Sequence, residues 1–192
     1  MDTSTTGPAP AAPRRADARR NRERILSAAK VIFAEHGIGA QMDDVARAAG
    51  VGVGTVYRHF PTKDALMGRL IDQRSDAIIA IEREALQIAD PWEAFATMIR
   101  AGAQMMADDA HMRQALLRFP DSAWEHAEPR NTTVDELADR IITRARAAGV
   151  LRADFTAADM PMVMGGVCAS IGIPGADWRR HVDILLAGLR AR

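Results

Sequence analysis

Residues 41–60 read QMDDVARAAGVGVGTVYRHF. From about Asp43 to Ala49, the apolar residues Val45, Ala46 and Ala49 fall at helical spacing, and Gly50 can take the left-handed conformation that ends a helix. A second short helix is expected from Val53 to Phe60, stopped by Pro61, which cannot continue the hydrogen-bond ladder. Two short helices joined by a glycine turn form a helix-turn-helix, whose first helix braces the second and whose second presents its N-terminal residues to the major groove of DNA. Small residues at that point (Gly52, Val53, Gly54) let the backbone come close to the double helix. Thr55, Tyr57, His59 and Lys63 then supply donors at spacings that straddle phosphates. Gly50, Gly52 and Gly54 superficially suggest a dinucleotide-binding loop, but that loop follows a strand and this run follows an amphipathic helix.

Working outward, Ile25, Ala28, Ala29, Ile32 and Phe33 make one apolar helical stripe, closed by Gly37. Before it lie six arginines, Arg14, Arg15, Arg19, Arg20, Arg22 and Arg24, against only Asp17 and Glu23. Such a run reads either as a solvated helix start or as an arm that grips phosphates. Residues 1–13, with Pro8, Pro10 and Pro13 among small polar residues, bury too little apolar area to offset the entropy of ordering. A disordered tail over 1–17 is therefore expected, followed by a DNA-binding domain over 18–69.

On the other side of the motif, Thr62 is placed to cap a longer helix that carries Leu66, Leu70, Ile71, Ile78 and Ile81. Asp90-Pro91-Trp92-Glu93 combines a capping aspartate, a proline at the first helical position and an acid three residues after the cap. Phe95, Met98, Ile99, Gly102 and Met106 follow on one face. Thr133-Val134-Asp135-Glu136 repeats the capping pattern before Leu137, Ile141, Ala145 and Ala148, with Gly149 closing that helix. Trp178, Val182, Leu185, Leu186 and Leu189 keep helical spacing near the end, and no segment alternates as a strand would. The fold class is all-α: an N-terminal three-helix DNA-binding domain joined to a larger helical domain over 70–192.

The segment ILSAAKVIFAEHG, with MDDVARAAGVGVGTVYRHFPTKDAL after it, resembles the DNA-binding region of the TetR family of transcriptional regulators. Ala46, Ala49-Gly50-Val51, Gly54-Thr55, Tyr57, His59-Phe60, Lys63 and Leu66 stand where that family's pattern has them, over roughly a third of the chain. The resemblance implies that Thr55, Tyr57, His59 and Lys63 contact phosphates and that Val53, Gly54 and Arg58 vary with operator sequence. Arg58 is the candidate reader of a guanine edge, a pair worth about 1 to 3 kcal/mol of discrimination. Gln41 stands where the family usually has threonine, at a position that reaches a phosphate. The resemblance also implies an effector site enclosed by the C-terminal helices and a homodimer through the last two of them, here about Ala157–Ile171 and Ala176–Leu189. One recognition helix contacts too few base pairs to select a site in a genome. Two heads would read an inverted-repeat operator in double-stranded DNA.

Seven of the ten methionines lie beyond residue 69, with Trp92, Phe95, Phe119, Trp124 and Phe155. Methionine adapts to irregular shapes, so a mostly apolar pocket for a small molecule is one reading and plain core packing the other. The candidate lining is Phe95, Met98, Gly102, Met105, Phe119, Trp124, Met164 and Cys168. A repressor released by such an effector is the expectation; an activator of the same type, or a helical interaction protein without DNA binding, are the alternatives.

Other classes fall away. The chain has no serine in a nucleophile-elbow context, no paired His-Glu metal helix and no phosphate-binding glycine-lysine loop, so no catalytic residues, metal or cofactor are expected. The longest apolar stretch, Met160 to Ile173, is interrupted by Pro161, Gly165, Gly166 and Gly172 and is too short to span a membrane. One cysteine and no apolar signal core fit a cytoplasmic protein. Of 192 residues, 25 are basic and 25 acidic, which alone would argue against a nucleic-acid binder. The balance hides a division: residues 1–69 hold 11 basic and 7 acidic side chains, residues 70–192 hold 14 and 18. A head of +4 is joined to a body of −4.

Overall fold

In the computed structural model, which describes residues 11–110 and 128–191, helix α1 runs from Ala11 to His36 and ends at Gly37, whose φ of 56° is the left-handed turn expected there. Its stripe of Ile25, Ala28, Ala29, Ile32 and Phe33 is buried, with Leu26 and Ala34 beside it. The start of α1 corrects one expectation, because residues 11–17 are helical where a disordered tail was expected. Ala11, Ala12 and the arginines are strong helix formers, and Pro13 falls in the first turn, where its missing N–H would have had no partner.

After a single 3₁₀ turn at Gly37–Gly39 come α2 (Met42–Ala49) and α3 (Val53–His59). Helix α2 packs on both α1 and α3. Helix α4 then extends from Lys63 to Gln87, and its first turn is capped as expected: the Thr62 Oγ1 accepts the Ala65 N–H at 3.0 Å. The chain divides after Leu66 into two units, against an expected boundary at 69. The first is α1 to α3 with the opening turn of α4.

The second unit holds the rest of α4, α5 (Pro91–Asp108), α6 (Glu128–Ala147), α7 (Met160–Ile171) and α8 (Trp178–Leu189). Helix α5 is central and packs against α6, α7 and α8. The core gathers Trp92, Phe95, Met98 and Ile99 of α5 with Ile141, Ile142 and Ala145 of α6, Val167 of α7, and Val182 and Leu186 of α8. Each large side chain here contributes roughly 1.5 to 3 kcal/mol of burial free energy. Among the described residues there is no strand; a lone antiparallel bridge joins Leu151 to Arg190 and ties the chain's end back to the turn after α6.

The capping signals are realised unevenly. The Asp90 carboxylate accepts the Glu93 N–H at 2.8 Å with Pro91 at the head of α5, as its sequence foretells. The Thr133 pattern does not start a helix. Helix α6 begins five residues earlier, at Glu128, with Pro129 in its first turn, so at 133 the backbone N–H groups already have carbonyl partners one turn back. Pro161 sits in the first turn of α7 and delays that helix behind a 3₁₀ turn at Ala157–Asp159, where the Asp159 carboxylate takes the Thr156 N–H at 2.8 Å. Asp177 caps α8, its carboxylate accepting the Arg180 N–H at 3.0 Å.

Candidate nucleic-acid interface

The turn between α2 and α3 is built from two backbone hydrogen bonds, Gly50 N–H to the Arg47 carbonyl and Val51 N–H to the Ala46 carbonyl, both 3.1 Å. That pairing needs a left-handed residue at its centre, and Gly50 has φ of 62°. Helix α2 is fixed by Met42, Val45, Ala46 and Ala49, all buried. Helix α3 buries only Val56, with Phe60 just beyond it.

Because α3 has a single anchor, most of its surface is left to solvent. Val53 is 41% exposed and Tyr57 47%, and Gly54 and Arg58 are also exposed. These four form two adjacent rows one turn apart, 53 with 57 and 54 with 58, which share a face. A Cβ built at Gly54 would meet nothing within 4 Å, so that face is open. Thr55 and His59 flank it, half-buried. Lys63 lies with its ammonium 5.9 Å from the centre of the Phe33 ring. Gln41 is exposed and does not cap α2; its Nε2 donates to the Gly39 carbonyl at 3.0 Å.

Arg58 is not extended toward solvent. Its Nε donates to the Gly54 carbonyl and its Nη2 to the Thr55 Oγ1, both at 3.1 Å. The expected base reader is thus folded onto its own helix, and reaching a base edge requires it to release Thr55. Both residues lie on the surface, where such bonds are worth about 1 kcal/mol and exchange readily with water or another acceptor.

The arginines of α1 have partners the sequence does not reveal. Arg24 donates from Nη2 to the Gly50 carbonyl at 3.3 Å, and the Arg22 guanidinium lies 5.3 Å from the centre of the Phe60 ring. One therefore holds the turn before α3 and the other the residue after it. These contacts span 26 and 38 positions of chain, and no local pattern announces them. Arg19 pairs with Glu23 at 3.8 Å and Arg20 with Asp17, one turn along the same helix.

In the second unit, the expected pocket residues separate into groups. Phe95 and Met98 are core residues, Phe95 packing edge-on against Phe155 with ring centres 5.6 Å apart. Gly102 and Met164 are brought together: the methionine methyl is 3.1 Å from where a Gly102 Cβ would stand, so α5 and α7 approach closely there. Met105 is half-buried and Cys168 is buried. Phe119 and Trp124 lie outside the described residues. The sequence offers no sign that two titratable groups of α4 are withdrawn from water. Arg74 is largely enclosed near Cys168 and Asp109, and burial lowers its pKa; Glu82 is 3% exposed. No group of three potential metal ligands occurs among the described residues, and no described helix is long and apolar enough to cross a membrane.

Comparison with known proteins places these features. Residues 25–70 match the family model for bacterial regulatory proteins of the tetR family, and residues 90–191 match that of the SbtR-like transcriptional regulator C-terminal domain. The chain is 32% identical over 133 residues to the HTH-type transcriptional repressor KstR of Mycobacterium tuberculosis, covering 68% of this chain and 60% of KstR. It is 36% identical over 72 residues to the HTH-type transcriptional regulator UidR of Escherichia coli K12, covering 37% of each. The matches thus span less than two thirds of these relatives. Among solved structures, a TetR transcription regulatory protein from Mycobacterium vanbaalenii shares 34% identity, with 93% of this chain and all of that chain covered and a TM-score of 0.60.

Proposed function

Since the chain belongs to the TetR family of bacterial regulatory proteins, we propose that it is a ligand-responsive transcriptional regulator, a repressor that binds an inverted-repeat operator as a homodimer. The observation that carries this reading is α3 itself: one buried anchor, Val56, and an open face of Val53, Gly54, Tyr57 and Arg58 on a helix short enough to lie in the major groove. Gln41, Thr55, Tyr57, His59 and Lys63 hold phosphates and set the register, while Arg58 and apolar contact from Val53 read bases.

Pairing of two chains is supported by the apolar surface that α7 and α8 leave uncovered. Met162 is 74% exposed and Ile184 56%, with Gly165, Gly166 and Ala169 exposed along the same α7 surface. Side chains of that size rarely stay in water on adjoining helices without a partner, and the small residues admit a helix at close range. The effector is small and mostly apolar, bound among α4, α5 and α7 around Gly102, Met105, Met164 and Cys168. Its binding favours a spacing of the two heads that mismatches the operator. Helix α4 carries that influence, being one continuous helix with Lys63 in its first turn.

The test is selection of bound sequences from a random DNA pool by the purified chain. An inverted repeat with half-site centres about 34 to 36 Å apart, or a multiple of that, is the expected product. Enrichment of no sequence at low salt would overturn the reading.

A further inference from the structure

Glu82 lies on the inner side of α4 in the second unit, 3% exposed, and its Oε2 is buried without a hydrogen-bond partner. Ser75, two turns earlier on the same face, is also buried. Ala85 and Leu86 follow within the next turn and pack in or against the apolar core. The charged groups of the facing helix α6 do not neutralise the carboxyl. Asp135 is of like sign and opposes its ionisation, and Arg144 commits its two terminal nitrogens to the carbonyls of Leu86 and Ile88, at 3.2 and 2.7 Å. The charged residues of α5, Glu93, Arg100 and Asp108, are exposed on its outer side.

An unpaired carboxylate removed from water is among the costlier things a helical core can hold. Desolvation, with Asp135 adding to it, pushes the Glu82 carboxyl up to about 8, so most molecules hold it neutral at pH 7. A carboxamide or an aliphatic side chain would fill the same space without that cost. What a carboxyl alone offers is a place for a cation.

We infer that Glu82 is the polar recognition point of the effector site, and that the effector carries a protonated amine on an apolar body, with the amine donating to Glu82. The inference rests on the reading that this unit binds an effector, and names that molecule's class. The arriving cation supplies the missing counter-charge, and the carboxyl gives up its proton to solvent as the ion pair forms. Met105 and Met164, adaptable and half-buried, suit the apolar part.

The probes are n-octylamine, n-octanol and n-octanoate, equal in length and different only in the head. Each is titrated calorimetrically into the full chain and into Glu82→Gln at pH 7, in two buffers of different ionisation enthalpy. Glu82→Gln mimics the neutral acid and is expected to fold; its melting temperature checks this. Octylamine should bind the native chain at least about tenfold more tightly than octanol, releasing most of one proton, and lose that advantage in Glu82→Gln. Octanoate, which cannot donate to Glu82, should bind the native chain and Glu82→Gln alike. If all three bind alike, or octylamine binds both proteins equally, an apolar effector site survives and the role of Glu82 falls. If none binds a chain that still selects DNA, both fall.

Discussion

At Gly50 two independent constraints meet. Its φ of 62° strains any side chain, and a Cβ would come within 2.7 Å of the Arg24 Nη2. Gly50→Ala should therefore destabilise the first unit by about 1 to 2 kcal/mol, measured by chemical denaturation. Arg24→Ala removes the other half of that contact, and its effect on DNA distinguishes two roles. If Arg24 only positions the turn through the Gly50 carbonyl, specific affinity falls with the salt slope unchanged; a slope lowered by about one identifies a phosphate contact. On α3, Arg58→Ala should relax base preference at one position by about 1 to 3 kcal/mol, whereas Lys63→Ala should weaken all sequences alike and lower the salt slope by about one. Binding titrations on operator and random DNA at several salt concentrations separate the two.

Individual helices show where local rules suffice. Helix α5 starts where its sequence says it should, because a carboxylate cap, a proline at the first position and an apolar stripe agree. Asp90→Ala is expected to cost the second unit about 1 kcal/mol, with a lower melting temperature and an unchanged helical spectrum. In α6 the same kind of signal fails, since a capping threonine acts only where the chain enters a helix and Thr133 lies inside one already begun at Glu128. The start of α1 shows the opposite error: the low apolar content of residues 1–13 suggested a disordered tail reaching to residue 17, yet helix propensity carries the helix out to Ala11.

Across the molecule, the buried carboxyl and the exposed apolar side chains have opposite signatures. The folded-state pKa of Glu82, about 8, lies above the ordinary 4.5, so folding favours its protonated form. Its contribution to stability is fully present below pH 4.5, declines as pH rises toward 8 and is gone above it. Glu82→Gln should flatten the pH dependence of unfolding between those limits and exceed the native chain in stability at pH 8.5. Denaturation curves across that range check both. Ile184→Asp places a charge on the surface proposed to join two chains. It should leave the monomer fold intact, shift sedimentation toward the monomer and abolish binding to a full operator at concentrations that saturate the native chain.

Much of this protein is written in short-range pattern. The stripe from Ile25 to Phe33, the glycine-centred turn at Gly50, the Thr62 and Asp90 caps and the helix-turn-helix itself depend on residues within two turns of one another, and such order survives without knowing the fold. The exposed face of α3, proposed to meet DNA, is legible for the same reason: the helix is too short to hide both of its sides. What only the tertiary structure decided is which side of a helix meets which neighbour. That choice set Arg22 against Phe60 and Arg24 against Gly50, enclosed Glu82 and much of Arg74 on α4, and left Met162 and Ile184 in water. Burial is a property of packing between segments far apart in the chain, and spacing along a single helix does not contain it.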